Sequence, residues 1–141
     1  MQLEPYLLFD GKCEEALNFY KETFGGEIEA LAHWSEMPKD ATGGPPVTHE
    51  TANRVMHATF KAPGFSFMAA DATPGKVYGE GPVWLSIATS DLAEAESIFG
   101  RLADGGNVAM PMADQFWGAK FGMLTDKFGI HWMISCHRNT Q

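Results

Sequence analysis

The stretch DKFGIHWMI, residues 126–134, places an imidazole and a thioether two positions apart. On a strand that spacing puts His131 and Met133 on one face. The imidazole could serve as a general base or donate a hydrogen bond to a ligand. The thioether can do neither. Other histidines are more scattered. His57 follows Arg54 at the start of an apolar run, where a structural role is the plainer reading, and His33-Trp34 could rim a pocket or simply pack. His49-Glu50 falls in a Gly-, Pro- and Thr-rich segment; it reads as solvated surface, unless the loop approaches His57 to build an atypical metal site. No Ser-His-Asp or Cys-His order marks a nucleophile. Cys13 and Cys136 lack CxxC spacing and read as inert, reduced thiols of a cytoplasmic protein.

Composition sets the bounds on partners. With 141 residues, 45% of them hydrophobic, the chain can bury a core as one domain. A formal net charge of −8 and the lack of a basic stripe argue against nucleic acid. No run approaches the ~18 apolar residues of a membrane helix. The opening MQLEPYLLFDGK has no basic leader, and its short apolar stretch breaks at Asp10-Gly11, so no signal peptide is expected.

The elements that must position these side chains emerge from an internal repeat. Gly25-Gly26 and Gly105-Gly106 lie 80 residues apart, and at that offset Leu7 matches Ile87, Glu14 Glu94, Phe19 Phe99 and Ile28 Val108. Each segment reads as a strand, a helix of about three turns, a Gly-Gly stop and a second strand. Ala16, Phe19, Tyr20 and Phe24 form one helical stripe; Ala95, Ile98, Phe99 and Leu102 form the other, and each is read as core rather than a cofactor box. Asp91 with Glu94 suggests a capping box variant. Farther on, KAPGFSFMAA and DKFGIHWMIS superpose on Gly64 and Gly129, an offset of 65. The first half therefore carries about 15 extra residues, visible as the loop at 35–54.

These matches predict strands near 3–9, 27–34, 55–62 and 65–71, then near 83–89, 107–113, 118–125 and 130–136. The expected fold class is α+β: a single domain of two tandem βαβββ modules, about 1–75 and 80–137, with one helix covering each. The sheet is expected to be mostly antiparallel and cup-shaped, because the faces left uncovered by helices must be buried against something.

A duplicated strand–helix–three-strand unit carrying PYLLFDGKCEEALNFYKETFGGEI, MHATFKAPGFSFMAAD and FWGAKFGMLTDKFGIHWMI resembles the vicinal oxygen chelate superfamily of glyoxalases, bleomycin-resistance proteins and dioxygenases. The nearer likeness is to its PhnB-like branch, and it covers nearly the whole chain outside the loop. Some members of that branch carry a demethylubiquinone methyltransferase label, but no Gly-rich nucleotide loop follows a strand here. The resemblance implies four metal-ligand positions, on the first and last strand of each module, which fall on Pro5, Met68, Leu85 and Met133. A slip of one residue would bring Glu4 or Tyr6, and Trp84 or Ser86, without restoring a four-ligand set. Thioethers are poor ligands for hard divalent cations. Neither a metal nor any other cofactor is therefore expected.

If Met133 faces the cup, so do His131 and Ser135, while Trp132 and Ile134 face the helix; Pro5 would bring Leu7 and Phe9 inward with Met68, Ser66 and Ala70. The expected ligand pocket comprises Leu7, Phe9, His57, Met68, Leu85, Trp117, His131 and Met133, with His131 the one catalytic candidate. Trp117, beside Phe116 and Gly118, suits either a stacked ligand or a dimer contact. The resemblance implies a homodimer. The expected activity is binding of a small, apolar or planar molecule without the usual metal. The alternatives are a metal-dependent or His131-assisted lyase or isomerase, and a structural dimer whose cup is filled by its own side chains.

Overall fold

A buried carboxylate fixes the turn from which His131 and Met133 emerge. In the computed structural model, which describes residues 1–36, 51–72 and 81–137, Asp126 is only 3% exposed. Its Oδ1 accepts from the backbone N–H of Phe128 at 2.9 Å and of Ile130 at 3.1 Å, and its Oδ2 accepts from the Trp132 indole at 2.9 Å. Gly129 supplies the φ of +92° that closes this turn.

The chain divides into two units, Met1–Gly79 and Glu80–Gln141. In the first, β1 (Tyr6–Phe9) leads to α1 (Cys13–Phe24), then β2 (Glu27–His33), a short 3-10 turn (Trp34–Glu36), β3 (Val55–Ala62) and β4 (Phe65–Asp71). The strand order is β1-β4-β3-β2, with β1 parallel to β4 and the other pairs antiparallel. All four strands lie within three residues of their expected bounds. Lys12, at the N-cap of α1, makes no side-chain cap. The buried Asp71 substitutes from the sheet: Oδ1 accepts from Cys13 N–H and Oδ2 from Val55 N–H, both at 2.9 Å. Gly25, at φ 70°, ends the helix, and at Gly26 a Cβ would lie 2.6 Å from the Lys61 carbonyl. Only glycine fits there.

The α1 stripe is centred one position away from expectation. Cys13, Ala16, Leu17, Tyr20 and Thr23 are buried, while Phe19 and Phe24 flank them half-buried. Tyr20 meets Phe67 edge-on at 6.0 Å, and Phe67 stacks on Phe60 at 4.8 Å. Burying each such side chain contributes about 2 kcal/mol. That layer, rather than the propensity of a 12-residue segment, holds α1 in place.

The second unit repeats the plan with β5 (Leu85–Thr89), α2 (Leu92–Ala103), β6 (Asn107–Asp114), β7 (Ala119–Thr125) and β8 (His131–His137). Its order is β5-β8-β7-β6, again parallel only at β5–β8. The strands thus form two four-stranded sheets. Asp91 caps α2 by accepting from Glu94 N–H at 3.2 Å, as expected. Ala95, Ile98 and Leu102 are buried on α2, and Leu124, Trp132, Ile134 and Cys136 on the strands beneath. Gly122 gives Phe99 room, since a Cβ there would sit 2.7 Å from its ring. Among the described residues no helix is long and apolar enough to cross a membrane.

At the end of β2, His33 joins two elements. Its Nε2 lies 2.7 Å from Glu14 Oε1 on α1, and its Nδ1 lies 3.3 Å from Glu36 Oε1 on the 3-10 turn. Carboxylates only accept, so both contacts are hydrogen bonds when the ring is doubly protonated. The Glu14 bond, then the Glu36 bond, raises the His33 pKa.

Two outcomes follow from this architecture. Asp126→Ala strands two backbone donors and an indole N–H in a buried turn and should destabilise the fold by about 3 kcal/mol or more, read as the urea midpoint at constant m. For His33, the raised folded pKa means its contribution to stability is complete below about pH 6.5, the ordinary histidine value. It is lost as pH rises through the higher folded value. Histidine NMR titration should place His33 above the ordinary value, and Glu14→Gln should return it towards that value.

Candidate functional site

Each sheet has one face turned away from its helix, and strand register decides which side chains stand there. In the second unit, Trp132 and Ile134 face the helix as expected, leaving His131, Met133 and Ser135 on the other face. Register then fills in their neighbours. Met133 pairs with Met123 on β7 and Ser86 on β5, while Met123 pairs with Met110 on β6. His131 pairs with Thr125, and Ser135 with Phe121.

His131 is held from two directions. Its Nδ1 lies 2.7 Å from the Thr125 hydroxyl, and Trp84 stacks on the ring at 4.6 Å with an interplanar angle of 21°. The hydroxyl engages Nδ1, one of the two ring nitrogens. At the β6–β7 turn, where Gly118 has φ +91°, Phe116 is 97% exposed and Trp117 51%. Trp117 packs edge-on against Phe116 at 5.1 Å and against Phe121 at 5.9 Å. An aromatic corner thus continues the Met-bearing face.

In the first unit the corresponding face carries Tyr6, Leu8, His57, Thr59, Ser66 and Met68. The Tyr6 hydroxyl lies 3.3 Å from His57 Nδ1, with the rings 5.9 Å apart. Three expected positions are corrected. Leu7 and Phe9 are buried on the helix side, paired with Ala69 and Asp71, because Met68 is abreast of Tyr6 rather than Pro5. Leu85 is likewise abreast of Trp132 on the helix side, and Ser86 takes the place beside Met133. In parallel strands, side chains in register share a face, so a slip of one residue exchanges the two faces. The four repeat-equivalent positions are Tyr6, Met68, Ser86 and Met133.

His57, Met68, Trp117, His131 and Met133 lie on or beside these helix-free faces. His49 and Glu50 lie outside the described residues. Among the described residues no three His, Cys, Asp or Glu side chains gather as a metal site. Cys13 and Cys136 are buried and unpaired with each other. Burial, then the Asp71 and Glu14 carboxylates, push the Cys13 thiol up to about 12, a poor nucleophile. Sequence reasoning missed Trp84, Thr125, Met110 and Met123 as neighbours of His131 and Met133. Carrying the alternation across the hairpin from Asp126 would have found Thr125 and Met123.

Comparison with known proteins agrees with this architecture. The sequence model of a family described as 3-demethylubiquinone-9 3-methyltransferase matches residues 1–135. Protein YjdN of Escherichia coli is 32% identical over 139 residues, covering 96% of this chain and 95% of its own. The crystal structure of PA1353 from Pseudomonas aeruginosa shares 36% identity with a TM-score of 0.84, covering 99% of both chains. A Bacillus cereus PhnB protein, titled a putative 3-demethylubiquinone-9 3-methyltransferase, shares 29% identity with a TM-score of 0.77 over 96% of this chain and 99% of its own. At 14% identity and a TM-score of 0.65, a glyoxylase/bleomycin resistance protein/dioxygenase domain from Frankia shares the fold, covering all of this chain and 95% of its own. The chain therefore belongs to the family described as 3-demethylubiquinone-9 3-methyltransferase, and it shares its fold with the glyoxylase/bleomycin resistance protein/dioxygenase domain.

Proposed function

We propose that the protein binds a small, largely apolar or planar molecule against the helix-free face of its second sheet, without the four-ligand divalent metal of metal-using relatives. The observation that carries this reading is the stack of Trp84 on His131 at 4.6 Å, beside Met123 and Met133. A flat aromatic edge, adaptable thioethers and one oriented ring nitrogen suit a planar ligand with a single polar group. The Tyr6–His57 pair and Met68 give the first unit a face of similar chemistry. The metal positions support the metal-free part: Tyr6, Met68, Ser86 and Met133 offer no carboxylate or imidazole. Homodimerisation belongs to the same proposal, with the exposed Phe116 and Trp117 available to a second copy.

A second reading is favoured by the 2.7 Å contact between Thr125 and His131. The hydroxyl orients the ring through Nδ1, and Nε2 would act as general acid or base in a lyase or isomerase acting on a small oxygenated substrate. Methyl transfer, which the family description names, finds no support in a Gly-rich nucleotide loop.

Titration with the planar probe 8-anilinonaphthalene sulfonate, followed by tryptophan quenching, should saturate. His131→Ala should weaken that binding at least tenfold, and unchanged affinity would remove His131 from the site. Native mass spectrometry of protein purified without chelator should report a dimer free of divalent metal; one stoichiometric Zn²⁺, Ni²⁺ or Mn²⁺ per chain would overturn the metal-free reading.

A further inference from the structure

The strand register carries a second kind of chemistry on the face just described. Met110, Met123 and Met133 stand abreast on β6, β7 and β8, each in register with the next. Neighbouring strands run about 4.8 Å apart, so Met123 has a thioether one strand spacing away on either side. Unbranched methionine side chains can lean across such a gap. His131 lies diagonally from Met123, within reach of a long side chain. Its Nδ1 is engaged by Thr125, which leaves Nε2 directed elsewhere. None of the three methionines is fully buried, and Met110 is 40% exposed, so the row is open to an ion from solution.

We propose that this row is a binding site for a soft monovalent cation, Cu(I), held by the Met110, Met123 and Met133 thioethers with His131 Nε2 as the fourth donor. Ligand softness selects the ion. Thioethers bind Cu(I) well and hard divalent cations poorly, and imidazole is compatible with copper. The set lies on one sheet within one unit. It also differs from the positions at which metal-using relatives place their ligands, sharing with them only Met133. The chain's net charge of −8 favours a cation. The site goes beyond the proposed binding of a planar molecule: it adds Met110 and makes each sulfur a donor to an ion rather than a contact surface.

The test uses the full chain under anaerobic conditions, with Cu(I) supplied as its bicinchoninate complex. One equivalent of Cu(I) should pass from the chelator to the protein. Ag(I), a redox-stable stand-in, should shift the methyl NMR signals of Met110, Met123 and Met133 and leave that of Met68 in place. Met123→Leu keeps the side-chain volume and should weaken Cu(I) binding at least tenfold while the far-UV circular dichroism spectrum reports an unchanged fold. Met110→Leu, at a more exposed position, provides the same readout should Met123→Leu fail to fold. Failure to compete with bicinchoninate, Ag(I)-induced changes confined to Cys13 and Cys136, or wild-type Cu(I) affinity in the folded leucine variant would each overturn the site.

Discussion

The chemistry of the second unit depends on which way β8 faces, and one buried carboxylate decides that. Asp126 holds two backbone N–H groups of its own turn and the indole of Trp132 at once. Trp132 is thereby pinned to the helix side. With a side-chain period of two, His131 and Met133 have no choice but the opposite face. A slip of one residue would expose the largest buried side chain of the unit and bury an imidazole, and hydrophobic burial opposes both changes. The carboxylate adds direction to that preference, because three donors of the turn and of Trp132 converge on it. From β8 the orientation passes by register to Ser86, Met123 and Met110.

The same face shows why substituting a few residues changes so much. A ligand position on such a scaffold is defined by strand and register alone. A carboxylate there makes a hard-cation site; a thioether makes an apolar wall or a soft-cation site. No backbone rearrangement is needed to pass between them. Met68 and Met133 stand at matching points of the two sheets, each abreast of a neutral polar residue, Tyr6 and Ser86. Fold membership alone therefore does not assign a chemistry to this chain.

Much of the fold was legible because the repeat is carried by residues with no substitute. Gly25 and Gly105 adopt φ of 70° and 76°, Gly64 and Gly129 of 90° and 92°, and at Gly26 and Gly106 a Cβ would strike backbone 2.6 and 2.3 Å away. Such positions stand out in a sequence because only glycine fits them. The alternation on β8 was legible for a related reason: a tight turn at Gly129 defines where that strand starts. The faces of β1 and β5 were not. Both strands join their partners through parallel pairing over long sequence separations, and nothing local sets that register. Leu7, Phe9 and Leu85 were misplaced for this reason, whereas Met68 and Met133, whose strands are defined by tight turns, were not.

The two units also show how a duplicated framework can keep its geometry while redistributing its polar anchors. At the offset of 65 that relates β4 to β8, Asp71 corresponds to Cys136. The first unit uses that position to tie the start of α1 to β3, through Cys13 and Val55. In the second unit the start of α2 is capped locally by Asp91, so the equivalent position can hold a buried thiol. Its buried carboxylate stands instead at the opposite end of the sheet, at Asp126. Among the described residues, each unit thus uses one buried carboxylate for a different problem: placing a helix in the first, and orienting a strand in the second. An unpartnered buried carboxylate would cost several kcal/mol, so each is retained only where backbone donors converge. That distribution places the strand-orienting carboxylate in the second unit, on whose helix-free side Trp84, His131, Met123 and Met133 stand.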